Sequence, residues 1–472
     1  MNKYLPILFL ITVFLTACSA IPTGGTAITN VTVIDGINGS RSNQTVIFQD
    51  DEITAVLSST ANFRVSETVD GTGKYLIPGL WDFHVHLTYD DRLTQTMPAL
   101  FLSYGITSVR DTGGLLDKIL PVVEAMRADT AIAPRVYFSG PLLDGKFVVY
   151  DGKSVPEIGV RNATGNEAKA MISDLKDQGV DFIKVYELVT PPVFHAMVEA
   201  ANELNLPIDS HVPLSMLASE AGPLVDSIEH LRNIELDCAS NSLALHKTRL
   251  ERLENTEDIS GYKLRSSLHK LQRLSAIADY SEQRCDRTLA ALTSTTQVPT
   301  LRLNAVTVYP PYQRNGWKDA MERTPVSVQE EWAQLESKLK QSQANQDSTF
   351  ADWSFFLTGR MHDKGIPIAA GTDTPIGLSV PGYSLHSELE MLVKAGLSPL
   401  DALRSATLRP AEYFSVQNEL GSIEAGKKAD MVLLDKNPLD DIRNTKSINA
   451  VISKGRLLNA SELLEMVQSS AQ

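Results

Sequence analysis

Ile77-Pro78-Gly79-Leu80-Trp81-Asp82-Phe83-His84-Val85-His86-Leu87 decides how the chain is read. A Pro-Gly turn leads into an apolar strand. Side chains two apart on a strand share a face, so His84 and His86 converge at its exit. Paired imidazoles at that spacing suit zinc and similar borderline cations. Two histidines that merely alternate on a strand are the plain alternative, and the rest of the chain decides between the two.

Downstream, strand-like and helix-like segments alternate, which implies a parallel sheet. Strand candidates fall at residues 80–87, 106–110, 135–139, 181–186, 207–211, 227–230, 297–301 and 367–370. Helical patterns lie between them, as at 166–178 and 192–204. Eight such units close as a (β/α)8 TIM barrel, an α/β fold whose active site lies at the carboxyl ends of the strands. Metal-type residues should then sit late in several strands, and they do. Lys184 interrupts the apolar run Phe182-Ile183-Lys184-Val185-Tyr186, where an unpaired ammonium is costly. His211 ends the fifth candidate, Glu229-His230 the sixth, and Asp373 follows the eighth in Ala370-Gly371-Thr372-Asp373.

The set His84, His86, Lys184, His211, His230 and Asp373 resembles the amidohydrolase superfamily in its two-metal form with a carboxylated lysine. Ala406-Thr407-Leu408-Arg409-Pro410-Ala411-Glu412 and the run at 420–434 look like that superfamily's closing signature. Leu385-His386-Ser387-Glu388-Leu389-Glu390 resembles the imidazolonepropionase-like branch, which includes Xaa-Pro dipeptidases. The likeness spans roughly residues 27–460. It implies one divalent cation on His84, His86 and Asp373 and a second on His211 and His230, with zinc as the default. Lys184 would bridge them as a carbamate, and an ordinary buried ion pair is its alternative. Asp373 would also carry the catalytic proton. Tyr186, Arg232 and His386 are the candidate substrate contacts.

The activity implied is hydrolysis of a C–N bond in a small substrate, such as a dipeptide or N-acyl amino acid, by activated water. A two-metal esterase, lactonase or phosphotriesterase would share these ligands. One-metal deaminases and lactam-ring hydrolases carry Glu or Gln soon after the fifth-strand histidine. His211-Val212-Pro213-Leu214-Ser215 has neither, which disfavours them. A scaffold that kept the fold without catalysis should lack ligands, and none is missing. No Gly-x-Ser-x-Gly elbow supports a serine hydrolase.

Short strand patterns separated by turns fill 27–75 and recur in 416–472. Each piece is too small to bury a core alone, so one small β-sandwich built from both ends is expected around a barrel at 76–415. Helical insertions at about 232–296 and 302–362 far exceed the usual βα loop of about 2–6 residues. They read as lids or binding walls, or as a homo-oligomer contact. Cys238 and Cys285 lie in the first of them, where a disulfide and two free thiols are both open readings. His195, His246, His269 and His362 carry no comparable signal, and Asp111 reads as a turn residue.

The chain has 472 residues and a net charge of −14, which argues against nucleic acid and against electrostatic binding to anionic lipid. Its first residues form a basic start and an apolar run at 4–15, too short for a comfortable membrane span. Leu15-Thr16-Ala17-Cys18 resembles a bacterial lipobox. That implies a signal peptide at 1–17, lipid on Cys18, a linker at 18–26 and an exported protein tethered to a membrane. Ser19, where an inner-membrane retention signal has Asp, points to the outer membrane facing the periplasm.

Overall fold

A computed structural model describes residues 24–470 except 129, 131, 154, 257–258 and 343–346. The expected signal peptide and Cys18 lie outside the described residues. Apolar residues alternate in β1 (Thr26–Asp35), β2 (Gly39–Gln49) and β3 (Glu52–Ser58), which pair antiparallel in turn. The short strands β4 (Glu67–Asp70) and β5 (Tyr75–Pro78) run parallel to β1.

Gly79 then turns the chain into the middle of the molecule. A Cβ at this position would lie 2.0 Å from Thr107 Oγ1, so only glycine lets the two segments approach. β6 (Leu80–Val85), β7 (Ile106–Asp111) and β8 (Arg135–Phe138) form one parallel sheet. After β8 the chain breaks at Gly140, whose φ of 73° is left-handed, and at Pro141, which cannot donate to a ladder. It resumes as β9 (Leu142–Asp144), flanked on one edge by β10 (Gly159–Arg161). On the other edge β9 pairs with β11 (Ile183–Val185), and β12 (Ile208–Ser210), β13 (Ser227–Glu229) and β14 (Thr296–Val298) follow in parallel. The third candidate, 135–139, is β8 on β7, and β9, beyond Gly140-Pro141, is a further strand that pairs with β11. Asp181 N also donates to Phe138 O at 2.9 Å.

The candidate at 367–370 is not a strand. Pro367 has no N–H and the chain leaves the ladder at once, so only isolated bridges form. They nevertheless join β14 to β6. Gln297 N donates to Pro367 O at 2.8 Å, Ala369 N to Gln297 O at 3.0 Å, and Phe83 N to Ala370 O at 2.9 Å. The middle of the chain is therefore α/β and TIM-barrel-like, with parallel strands alternating with helices.

β15 (Met431–Leu434), β16 (Ile448–Ser453) and β17 (Arg456–Asn459) return to the first sheet, where β15 lies antiparallel to β5 with Met431 opposite Pro78. What composition suggests as a sandwich is one eight-stranded sheet drawn from both ends of the chain. Its buried face joins Ile28, Val33 and Val46 to Met431, Leu433 and Ile452.

Between β13 and β14 lie helices Ile234–Asp237, Ser242–Glu254, Gly261–Ala278 and Glu282–Ala291. The longest begins at Ser260, whose hydroxyl accepts from Lys263 N, and buries Leu264, Leu268, His269 and Gln272 at helical spacing. Cys238 and Cys285 are joined as a disulfide, tying the first of these helices to the last. Helices from Leu301–Asn304 to Thr349–Asp363 fill the second insertion. No helix among the described residues is long and apolar enough to cross a membrane.

Candidate metal centre

His84 is in β6 and His86 just beyond it, Lys184 is in β11, and His211 and His230 follow β12 and β13 directly. Asp373 lies past the bridge at Ile368. All six line one cavity of about 100 Å³. Ring centroids step from His86 to His84 at 5.3 Å, on to His230 at 4.6 Å and on to His211 at 4.8 Å. The ligand atoms of His84, His230 and Asp373 lie within 4.8 Å of one another. His230 therefore stands beside His84 and Asp373 as well as beside His211. His230 and Asp373 both adopt left-handed backbone, φ 62° and 60°, a strained state for such residues that concentrates at functional sites.

The far side of each ring settles which nitrogen is free. His84 Nδ1 is 2.5 Å from Glu229 Oε2, His86 Nδ1 is 3.1 Å from Gly113 O, and His211 Nδ1 is 2.8 Å from Glu187 Oε1. Carboxylates and carbonyls only accept, so each Nδ1 carries a proton. In a neutral ring Nε2 is then a bare lone pair. His230 Nδ1 meets Thr300 Oγ1 at 2.7 Å, where either atom can donate. His84 Nε2 and His86 Nε2 each lie 3.2 Å from Asp373 Oδ1. Lone pairs at that range repel unless a cation or an extra proton lies among them. Rings held from behind with Nε2 forward are the arrangement divalent cations require, so the donor set fits a metal.

Lys184 is buried, and its Nζ donates to Asp209 Oδ2 at 2.9 Å. Asp209 Oδ1 accepts from Ser227 at 3.1 Å. Arg110, fully buried, donates to Phe83 O at 2.6 Å, Ser227 Oγ at 3.0 Å and Glu229 Oε1 at 2.6 Å. This network compensates charges that would otherwise be costly to bury. Burial and the Lys184 charge push His211 down to about 3. Burial alone would also lower His84, but Glu229 and Asp373 outweigh it and raise its proton affinity. Burial would raise Asp373, but the surrounding His230, His84 and His86 rings hold it well below the usual carboxylate range.

Of the candidate substrate contacts, Tyr186 and Arg232 line the cavity. His386 does not. It is buried with Nδ1 2.8 Å from Thr445 Oγ1 and Nε2 3.0 Å from Tyr104 O, so both ring nitrogens are spent on packing. Asp111 accepts from Leu87 N at 2.6 Å and Gly113 N at 3.1 Å, which is the turn role read for it.

Sequence reasoning passes over Glu187, whose carboxylate holds His211, meets His269 Nε2 at 2.5 Å and accepts from Arg265 at 3.0 Å. Burial alone would raise it, but Arg265 and His269 outweigh that and keep it ionised. His269, set aside above, is thus a partner of the site. The one available signal was an acid in the apolar run that also carries Lys184. Glu229, quoted only as the neighbour of His230, is another such acid. A larger hollow, about 650 Å³, lies against the C-terminal helix and has no histidine in its lining.

Residues 356–458 match the model of the amidohydrolase family. Imidazolonepropionase from Brevibacillus brevis is 31% identical over 105 residues, 21% of this chain and 24% of that protein. Ochratoxinase from Aspergillus niger is 32% identical over 135 residues, 28% of this chain and 25% of the other. The chain thus spans about a quarter of the length of the curated relatives it matches. A crystal structure of a Xaa-Pro dipeptidase with bound methionine aligns with TM-score 0.64 at 20% identity, covering 92% of this chain and 99% of that one. Bottromycin amidohydrolase aligns with TM-score 0.67 at 21% identity, covering 94% and 90%. At these identities the structural likeness is one of fold. The likeness to amidohydrolases read from the motifs recurs over residues 356–458 and over the short stretches shared with these proteins.

Proposed function

We propose that this chain is a metal-dependent hydrolase that cleaves the C–N bond of a small amide, such as a dipeptide or an N-acyl amino acid. One observation carries the reading: three imidazoles, each anchored through Nδ1, line the same small cavity as Asp373 and Lys184. In this reading the ring of strands closes as a (β/α)8 barrel. His84, His86 and Asp373 would hold one divalent cation and His211 and His230 a second, and Lys184, whose ammonium pairs with Asp209 Oδ2 at 2.9 Å, would serve both as an anionic ligand only once carboxylated. The amidohydrolase match supports the assignment. Bound divalent cations supply an activated water and a polarised carbonyl.

The protein's own groups do the rest. Asp373 takes the proton of the attacking water and delivers it to the leaving nitrogen. Glu229, Gly113 and Glu187 keep the three imidazoles in the required tautomer and orientation. The walls of a cavity of about 100 Å³ limit the substrate to small groups. Export and tethering through Cys18 remain part of the proposal, supported by Leu15-Thr16-Ala17-Cys18.

Metal analysis of the soluble form beginning after Cys18, followed by a dipeptide and N-acyl amino acid library, tests this. About two metals per chain are expected, with turnover of library members abolished by chelation. Asp373→Asn should cost about 10²–10⁴-fold in kcat. One metal with full activity in Lys184→Ala would exclude the bridged site. Turnover of esters or lactones with no turnover of amides would replace the C–N reading with the two-metal esterase one.

A further inference from the structure

The first insertion sends one side chain into the cavity. Arg265, on helix Gly261–Ala278, lines it together with Arg232, which follows the His230 turn. Both guanidinium groups converge on one oxygen. Arg265 Nε and Nη2 donate to Glu187 Oε1 at 3.1 and 3.0 Å, and Arg232 Nη1 stands 3.9 Å from the same atom. Two cations thus share a single anion. Of the other acids nearby, Glu235 pairs with Arg273, Asp209 with Lys184, and Asp373, which lines the same cavity, lies against His84 and His86. Arg232 makes no hydrogen bond among the described residues, although its side chain is only 18% exposed. Its nitrogens face the cavity rather than being sealed in the wall, so a ligand that enters can take hydrogen bonds the protein leaves unused.

We infer that Arg232 and Arg265 form a subsite for a carboxylate at the non-reacting end of the substrate, with Arg265 supplied by the insertion as a specificity determinant. The guanidinium fork matches a carboxylate with two parallel donors. Tyr186, under Arg265 at 5.8 Å, packs at the same wall with Tyr150 and supplies flat surface for the group next to the carboxylate. The helix that carries Arg265 also meets Glu187 through His269, one turn further on. This inference rests on the hydrolase reading for the placement of the scissile bond but not for the anion itself.

The test compares N-acetyl-L-amino acids with the corresponding decarboxylated N-acetylamines, which keep the same scissile amide. For the metal-loaded protein, kcat/KM should favour the acids by about 100-fold. Arg232→Met should remove most of that preference through KM, with metal content unchanged and the acids losing far more than the amines. Arg265→Lys, which keeps the charge and loses the fork, should fall between. Equal turnover of acids and amines by the wild type, or an equal loss on both in Arg232→Met, would overturn the inference and leave the hydrolase standing. If neither series is cleaved, the hydrolase reading fails and binding decides the anion site by itself. Free L-amino acids at millimolar concentration should then raise the melting temperature while the matching amino alcohols do not, and Arg232→Met should abolish the difference. No difference between acids and alcohols in the wild type would overturn the site.

Discussion

Glu187 gathers His211, His269 and Arg265 on one carboxylate, so its charge matters more than its shape. Glu187→Gln preserves the volume and removes the charge. It should weaken retention of the second cation about 10–100-fold in competition with a chelator, with an unchanged far-ultraviolet spectrum. A second buried acid acts on stability instead. Glu388 accepts from Leu301 N at 2.8 Å and Arg302 N at 2.7 Å, and burial pushes its carboxyl up to about 7. The folded chain therefore holds a proton there that the unfolded chain has released above the ordinary carboxylate range. That stabilisation is complete below this range and is lost as pH rises through about 7. The melting temperature should fall between mildly acidic and mildly alkaline buffer, and Glu388→Gln should shrink the fall by about 2–4 °C. The six ligand candidates were legible because histidine, lysine and aspartate are conspicuous at the ends of apolar runs. Their partners were not. Thr300 lies 70 positions from His230 and Glu229 lies 145 from His84, and no local pattern links such pairs.

Four helices between β13 and β14 make up the insertion that bears Arg265 and His269, and the Cys238–Cys285 bond closes a loop of 47 residues across it. Replacing both cysteines by serine releases a chain-entropy constraint of about 4 kcal/mol. Protease should then cut first within 234–291, and metal retention should fall less than in Glu187→Gln. The helices expected at 166–178 and 192–204 form one residue earlier, at Gly165–Asp177 and Pro191–Glu203, whereas this insertion is legible only as helical, without the bounds of its four helices. Two features escaped for definable reasons. The strand β9 falls outside every candidate, because three residues beyond Gly140-Pro141 are too few to show a period. The candidate at 367–370 has a single bridge, Ile368 to Gln297, and the bridge to β6 comes only at Thr374, a pattern that depends on β14 and β6 and leaves no trace in its own composition.

Taken as a whole, the protein brings a crowd of bare nitrogen and oxygen atoms together in one cavity. Removing cations with a chelator should therefore lower the melting temperature, by the equivalent of about 4 kcal/mol where free metal had stood at a thousand times its dissociation constant. Readdition of zinc should restore it. The proposed tether is tested separately. Labelled palmitate should enter the full-length chain in a bacterial host and be absent from Cys18→Ala, which should be released by washing membranes.

The seam between β5 and β15 imposes an order on events during synthesis. β5 is satisfied on one edge by β1, while its other edge has no partner until Met431–Leu434 have been made. Every nascent chain therefore passes through a long interval with an open apolar ribbon, the kind of edge to which other unfinished chains adhere. A product cut short before residue 431 lacks β15, β16 and β17 together, so that edge of β5 stays open for good.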